Sequence, residues 1–217
     1  MNPTDFFEGR IGNHDIACSI FLSELQTHSI ESVPVGNEYN LFNSAGFLKP
    51  FDNDLAKFIR HFPDMYVIVS NNNHVLVDVK SDSGKTRNFA IEADSLYAGI
   101  ELSSINKPVF FACVVIPDKD IRIISAEDLR IPERVFVPSR RSEQFLSDIK
   151  QKFPKSDVTC KNVNGGSGTP YVLIPKDHPC FLTLNDFLQH ETNSPYVNVW
   201  KFGTEHMQKT LVGWISA

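Results

Sequence analysis

Residues Pro63 to Lys80, PDMYVIVSNNNHVLVDVK, constrain this chain more than any other stretch. Two apolar runs rich in β-branched residues, Met65 to Val69 and Val75 to Val79, flank Ser70-Asn71-Asn72-Asn73-His74. Asparagine tolerates the left-handed backbone region and suits a tight reversal, so the spacing predicts a β-hairpin. Asp64 stands at the start of the first strand, and Asp78-Val79-Lys80 closes the second. Strand alternation places Asp78 and Lys80 on one face and Val79 on the other.

Two carboxylates and an amine in a largely apolar hairpin need compensation, because an unpaired buried carboxylate loses several kcal/mol of solvation, roughly. A divalent ion supplies it. Asp64, Asp78 and the backbone carbonyl of Val79 are hard oxygen donors of the kind Mg²⁺ takes, with Mn²⁺ as a substitute. Lys80 is then placed to orient or help deprotonate a water, or to stabilise charge developing on a phosphate.

The order Pro63-Asp64, a gap, then Asp78-Val79-Lys80 resembles the PD-(D/E)xK nuclease superfamily, which includes many type II restriction enzymes and the archaeal Holliday-junction resolvases. The resemblance covers about residues 10 to 116. It implies a restriction-endonuclease-like αβββαβ core with a mixed central sheet flanked by helices, and a metal-dependent endonuclease activity. It also implies catalytic roles for Asp64, Asp78 and Lys80, and a further acid near the start of the first helix. Asp15 is the first choice for that acid and Glu24 the second. Asp15 is equally well read as a first-turn carboxylate favoured by the helix dipole; His14 reads as a surface residue. Some relatives carry glutamine four residues before a tyrosine on the helix after the lysine strand. Here Tyr97 follows Ala93, so no particular branch is indicated.

Composition leaves this reading open and closes others. A chain of 217 residues with 41% hydrophobic residues can bury a sizeable core. No apolar run reaches bilayer length, and the opening Met1-Asn2-Pro3-Thr4-Asp5 is unlike a signal peptide, so the expected location is cytoplasmic, without membrane association. Cys18, Cys113, Cys160 and Cys180 are widely separated and read as reduced, mostly buried residues rather than zinc ligands. A formal net charge of −5 argues against a broad, unspecific nucleic-acid binder but not against local phosphate contacts.

The flanking pattern follows the same order. Ile16, Ile20, Phe21, Leu22 and Leu25 predict a first helix over Asp15 to Gln26 with Asn13 as N-cap, and Ser29 to Val35 a strand. Asn40 to Pro50 reads as a loop, and Phe51 to Phe62 as a helix capped by Asp52. After the hairpin come a strand over Arg87 to Glu92, a helix over Ala93 to Leu102 and a buried strand over Lys107 to Ile116. Gly84-Lys85-Thr86 is not a P-loop, because Val79 stands where the upstream glycine is required.

The remainder, 117–217, reads as a C-terminal extension packed on the core of a single domain. Ile121 to Ile124 is expected beside the last core strand, and Ile131 to Pro138 leads to a helix over Ser142 to Phe153. Asn162 to Thr169 is a glycine-rich loop before a strand over Tyr171 to Ile174. Thr183 to His190 reads as a short helix, with closing strands at Tyr196 to Gly203 and Leu211 to Ile215. Arg140 and Arg141 open the Ser142 helix and read either as solvated surface or as a phosphate clamp; Lys49 and Lys85 are further candidates for nucleic-acid contact. The expected function is Mg²⁺-dependent phosphodiester hydrolysis in DNA, with RNA as the other substrate and a homodimer implied for paired-strand cleavage. The alternative is an inactive nuclease-fold module that contacts nucleic acid or a protein partner.

Overall fold

The computed structural model describes residues 3–36, 53–70, 73–162 and 168–193. Helix α1 (Pro3–Thr27) leads into β1 (Glu31–Pro34), α2 (Asp54–Arg60) and the hairpin of β2 (Met65–Ser70) and β3 (Asn73–Asp82). Then come β4 (Asn88–Glu92), α3 (Ala93–Ser104), β5 (Val109–Val115) and β6 (Asp120–Ser125). The C-terminal part adds β7 (Arg134–Pro138), a 3₁₀ turn, α4 (Ser142–Lys152), β8 (Asp157–Lys161), β9 (Tyr171–Pro175), β10 (Leu182–Thr183) and α5 (Leu184–Asn193). The loop expected over Asn40 to Pro50, the cap Asp52 and the closing strands after Tyr196 lie outside the described residues.

The fold is mixed α/β. A six-stranded sheet runs β1-β2-β3-β5-β6-β10, and all its pairs are antiparallel except β3 with β5. Parallel β3 and β5 need a crossover, and the segment through β4 and α3 provides it. Helix, three antiparallel strands, crossover helix and parallel strand are thus in the expected αβββαβ order. β5 is buried at every position, as a central strand covered on both faces must be.

Alternation on β2 and β3 sorts side chains onto two cores. Val67, Val69, Val75, Val77 and Val79 pack under Ala17, Cys18, Phe21 and Leu25 of α1 and Phe187 of α5. Leu76, Phe111 and Ile124 face the other way, against Leu96 of α3, Ile149 of α4, and Ile91, Val135 and Val172 of a second sheet. That second sheet, β4-β9-β7-β8, draws its strands from both sides of residue 117.

Two helix starts differ from expectation. α1 begins at Pro3, so Asn13 lies within the helix and does not cap it. α2 is capped by Asn53, whose side chain accepts from the Ala56 amide at 2.9 Å. Among the described residues, no helix is long and apolar enough to cross a membrane.

Candidate active site

Ladder parity builds the site. The Leu76 amide donates to the Pro108 carbonyl on the β5 side, so alternate residues Val77 and Val79 direct both N–H and C=O toward β2. β2 begins at Met65, opposite Val77, and offers no strand partner to Val79. Asp64 fills the gap: its Oδ2 accepts from the Val79 amide at 2.7 Å. The Asp64 carbonyl accepts in turn from the amides of Val35 and Gly36, at 2.8 and 3.0 Å. A Cβ on Gly36 would lie 2.9 Å from Asp64 Cα and 3.1 Å from its Oδ1, so glycine is required for this approach.

Asp78 and Lys80 share the opposite face from Val79, as alternation requires, with Lys80 Nζ 2.8 Å from Asp78 Oδ1. Asp64 and Asp78 are both buried, and Lys80 is half-buried. Burial, reinforced by the charge of Asp78, pushes the Asp64 carboxyl up to about 7; Lys80, His14 and the Val79 N–H offset part of the rise. Burial alone would weaken the Lys80 ammonium, but the carboxylates of Asp78, Glu92 and Asp64 hold its pKa above the ordinary lysine value.

Three groups that the sequence did not single out for the chemistry complete this side. Ser95, one turn into α3, has its hydroxyl 3.4 Å from Lys80 Nζ and 3.2 Å from His61 Nδ1. His61, the C-cap residue of α2, lies 3.9 Å from Glu92 and 4.0 Å from Asp94. Burial lowers its pKa despite those two acids, so the ring is neutral at neutral pH. Lys152 of α4 holds Asp94 at 3.0 Å.

The helix side brings a correction. Asp15 is exposed and, with Glu24, lines a shallow groove formed by Ile16, Ser19, Ile20, Ser23 and Lys119; neither acid is among the groups acting on Asp64. The residue that faces Asp64 is His14, Nε2 to Oδ1 3.7 Å, backed by Cys18 Sγ at 3.4 Å. Adjacent helical residues point about 100° apart, so seating His14 on the sheet turns Asp15 away. His14 was legible in principle: the buried stripe Ala17, Cys18, Phe21, Leu25, extended one turn back, reaches it.

Of the basic candidates, Arg140 and Arg141 lie beside Gly168. They follow the end of β7, and their guanidinium groups lie within 3.4 Å of the Cβ position of Gly168. Two residues on, the Pro170 carbonyl accepts from the Ala93 amide, at the start of α3. Lys85 is exposed in the turn at the other end of β4 from Glu92, which separates it from that edge. Lys49 lies outside the described residues.

The donor set suits a hard divalent cation. Asp64, Asp78 and the Val79 carbonyl are all oxygens at one end of the hairpin, and a cation would offset both the burial and the Asp78 repulsion that raise Asp64. Fold and site together define a mixed α/β protein whose central hairpin carries an acid, acid, lysine cluster. No family model matches the sequence, and no curated protein matches it. Among solved structures, the chain is similar to Hjc, a Holliday junction resolvase from Archaeoglobus fulgidus, at 15% identity and a TM-score of 0.34, over 49% of this chain and 71% of that one. It is also similar to D212, a nuclease from a fusselovirus, at 12% identity and a TM-score of 0.37, over 83% and 89%. At these values the site has to be read from its own geometry.

Proposed function

We propose that this protein is a metal-dependent phosphodiesterase that hydrolyses nucleic acid, with DNA as the substrate and RNA as the alternative. The observation that carries the proposal is the crowding of buried Asp64 and Asp78 beside Lys80, where Asp64 is held partly protonated near neutral pH. Clustered, desolvated acids with a charged lysine are costly for stability and are concentrated at catalytic positions.

Asp64, Asp78 and the Val79 carbonyl would hold Mg²⁺ or Mn²⁺, which lowers the pKa of a bound water and polarises a phosphoryl oxygen. Lys80, kept protonated by its three carboxylate neighbours, serves the phosphate rather than acting as the base: its ammonium balances the negative charge that grows on the phosphoryl oxygens. Ser95 steadies the lysine from α3, and neutral His61 on the far side of Ser95 can accept a proton. Arg140 and Arg141, beside Gly168, would hold the strand backbone. Cleavage of both strands of a duplex calls for two copies of the chain.

One observation favours the second reading, an inactive binding module. Asp78 is paired with Lys80 at 2.8 Å and Asp64 accepts from Val79, so the charges are satisfied from within the protein. A cleavage assay with Mg²⁺ or Mn²⁺ on single-stranded, duplex and branched DNA and on RNA separates the two, run beside thermal melts. Wild type should cleave and be stabilised by the ion; Asp78→Asn should lose both; Lys80→Ala should lose cleavage while still responding to the ion. A wild type indifferent to both ions in melts and cleavage would leave the binding module.

A further inference from the structure

Behind Asp64, on the α1 side of the sheet, stands a second set of donors of a different chemical character. His14 and Cys18 are one helical turn apart on the buried face of α1, and each approaches the other and the sheet. His14 Nε2, Cys18 Sγ and an oxygen of Asp64 all lie within 4.8 Å of one another. The two closest edges are 3.4 Å for nitrogen to sulfur and 3.7 Å for nitrogen to oxygen.

We infer that His14, Cys18 and Asp64 form a binding site for a thiophilic divalent transition-metal ion of the Zn²⁺ or Co²⁺ type. Bonds of about 2.0–2.3 Å arranged tetrahedrally give ligand-to-ligand edges of roughly 3.3–3.7 Å, which are the two edges observed. Thiolate and imidazole select such an ion over Mg²⁺ or Ca²⁺. Cys18 is 2% exposed and sits among Ala17, Phe21 and Leu25, so an isolated thiolate there would be costly. With the ion bound, one thiolate and one carboxylate balance its two charges, and the buried group is neutral overall. On binding, the Cys18 S–H bond breaks and its proton leaves to solvent, while neutral His14 coordinates through Nε2 and keeps its hydrogen on Nδ1. Among the described residues these three supply the ligands. The inference rests on these three residues and not on the phosphodiesterase reading.

The test uses the full chain, freed of metal, with Cys160→Ser and Cys180→Ser so that the less buried thiols do not contribute. Titration with Co²⁺ should give one equivalent of binding with a thiolate-to-cobalt charge-transfer band and tetrahedral d–d absorption, both discharged by Zn²⁺. Cys18→Ser should abolish the charge-transfer band, and His14→Gln should weaken binding roughly 10-fold or more, the size of loss that even an outer partner of a ligand incurs. Zn²⁺ should raise the melting temperature of the parent clearly more than that of His14→Gln at equal concentration. Should Cys18→Ser fail to fold, His14→Gln carries the test alone. A parent without the band, or an affinity unchanged by His14→Gln, overturns the site. Asp64 is common to both sites, so cleavage and Mg²⁺-dependent melting are read separately on the metal-free and Zn²⁺-loaded chain; loss of the cobalt band sinks this site alone, and loss of the Mg²⁺ response sinks the phosphodiesterase reading alone.

Discussion

Replacing Asp64 by Asn tests the electrostatics of the site directly. Asn keeps the shape and an oxygen for the Val79 amide, and removes only the charge. In the folded protein the Asp64 carboxyl titrates at about 7, against 3.8 when unperturbed. A rise of roughly three pH units is worth about 4 kcal/mol at ~1.4 kcal/mol per unit. The sign follows from linkage: the folded state binds the proton more tightly, so this stability is fully present below about pH 4, declines as pH rises, and is gone above about pH 7. In EDTA, urea unfolding of wild type and Asp64→Asn should therefore give matching stabilities near pH 4. By pH 8 the variant should be more stable by about 3–5 kcal/mol, and Mg²⁺ should narrow that gap by stabilising the wild type alone. A gap that does not change with pH would refute the placement of Asp64 as a desolvated acid beside Asp78.

Three further outcomes are expected. Lys80→Met should destabilise the protein by about 3–5 kcal/mol in denaturant melts, because Asp78 is left charged and buried, whereas Asp78→Asn combined with Lys80→Met should recover most of that loss. Gly36→Ala should cost about 1–3 kcal/mol, since its methyl would press on Asp64, and should shrink the Mg²⁺-dependent rise in melting temperature more than a distant substitution of equal cost. Asn73→Ala should cost about 1.5–3 kcal/mol by removing the buried bonds to the Glu191 carbonyl and carboxylate; hydrogen exchange should then show α5 opening ahead of β2 and β3.

The hairpin was legible because its signal is local: two β-branched runs around an asparagine-rich reversal mark the pairing, and strand alternation puts Asp78 and Lys80 on one face. α1 was legible as a helix but not in its phase. Ile16 and Ile20 weigh more in an apolar pattern than Ala17 and Cys18, yet Ile16 is 48% exposed and the small residues lie against the sheet, where a close approach favours them. That rotation exchanged Asp15 for His14. The second sheet was not legible as a sheet, because β4 pairs with β9 across some eighty residues of sequence. β8, Asp-Val-Thr-Cys-Lys, is half-exposed at an edge and carries no apolar alternation to mark it. Gly36 has no signature either, since its role is the space it leaves for Asp64.

The ladder parity of β3 also sets which changes of length the hairpin tolerates. An even slip between β2 and β3 returns Asp78, Lys80 and the Val79 main chain to their own sides, although Asp64 moves along the strand. An odd slip brings valines to the acid side and turns Asp78 and Lys80 under α1, where Phe21 and Leu25 provide no polar partner. One residue inserted or deleted between Ser70 and Asn73 is therefore more damaging than two. Variation in the length of this turn should run in pairs, or be absorbed at the irregularity between Ile68 and Ser70, where the register already shifts.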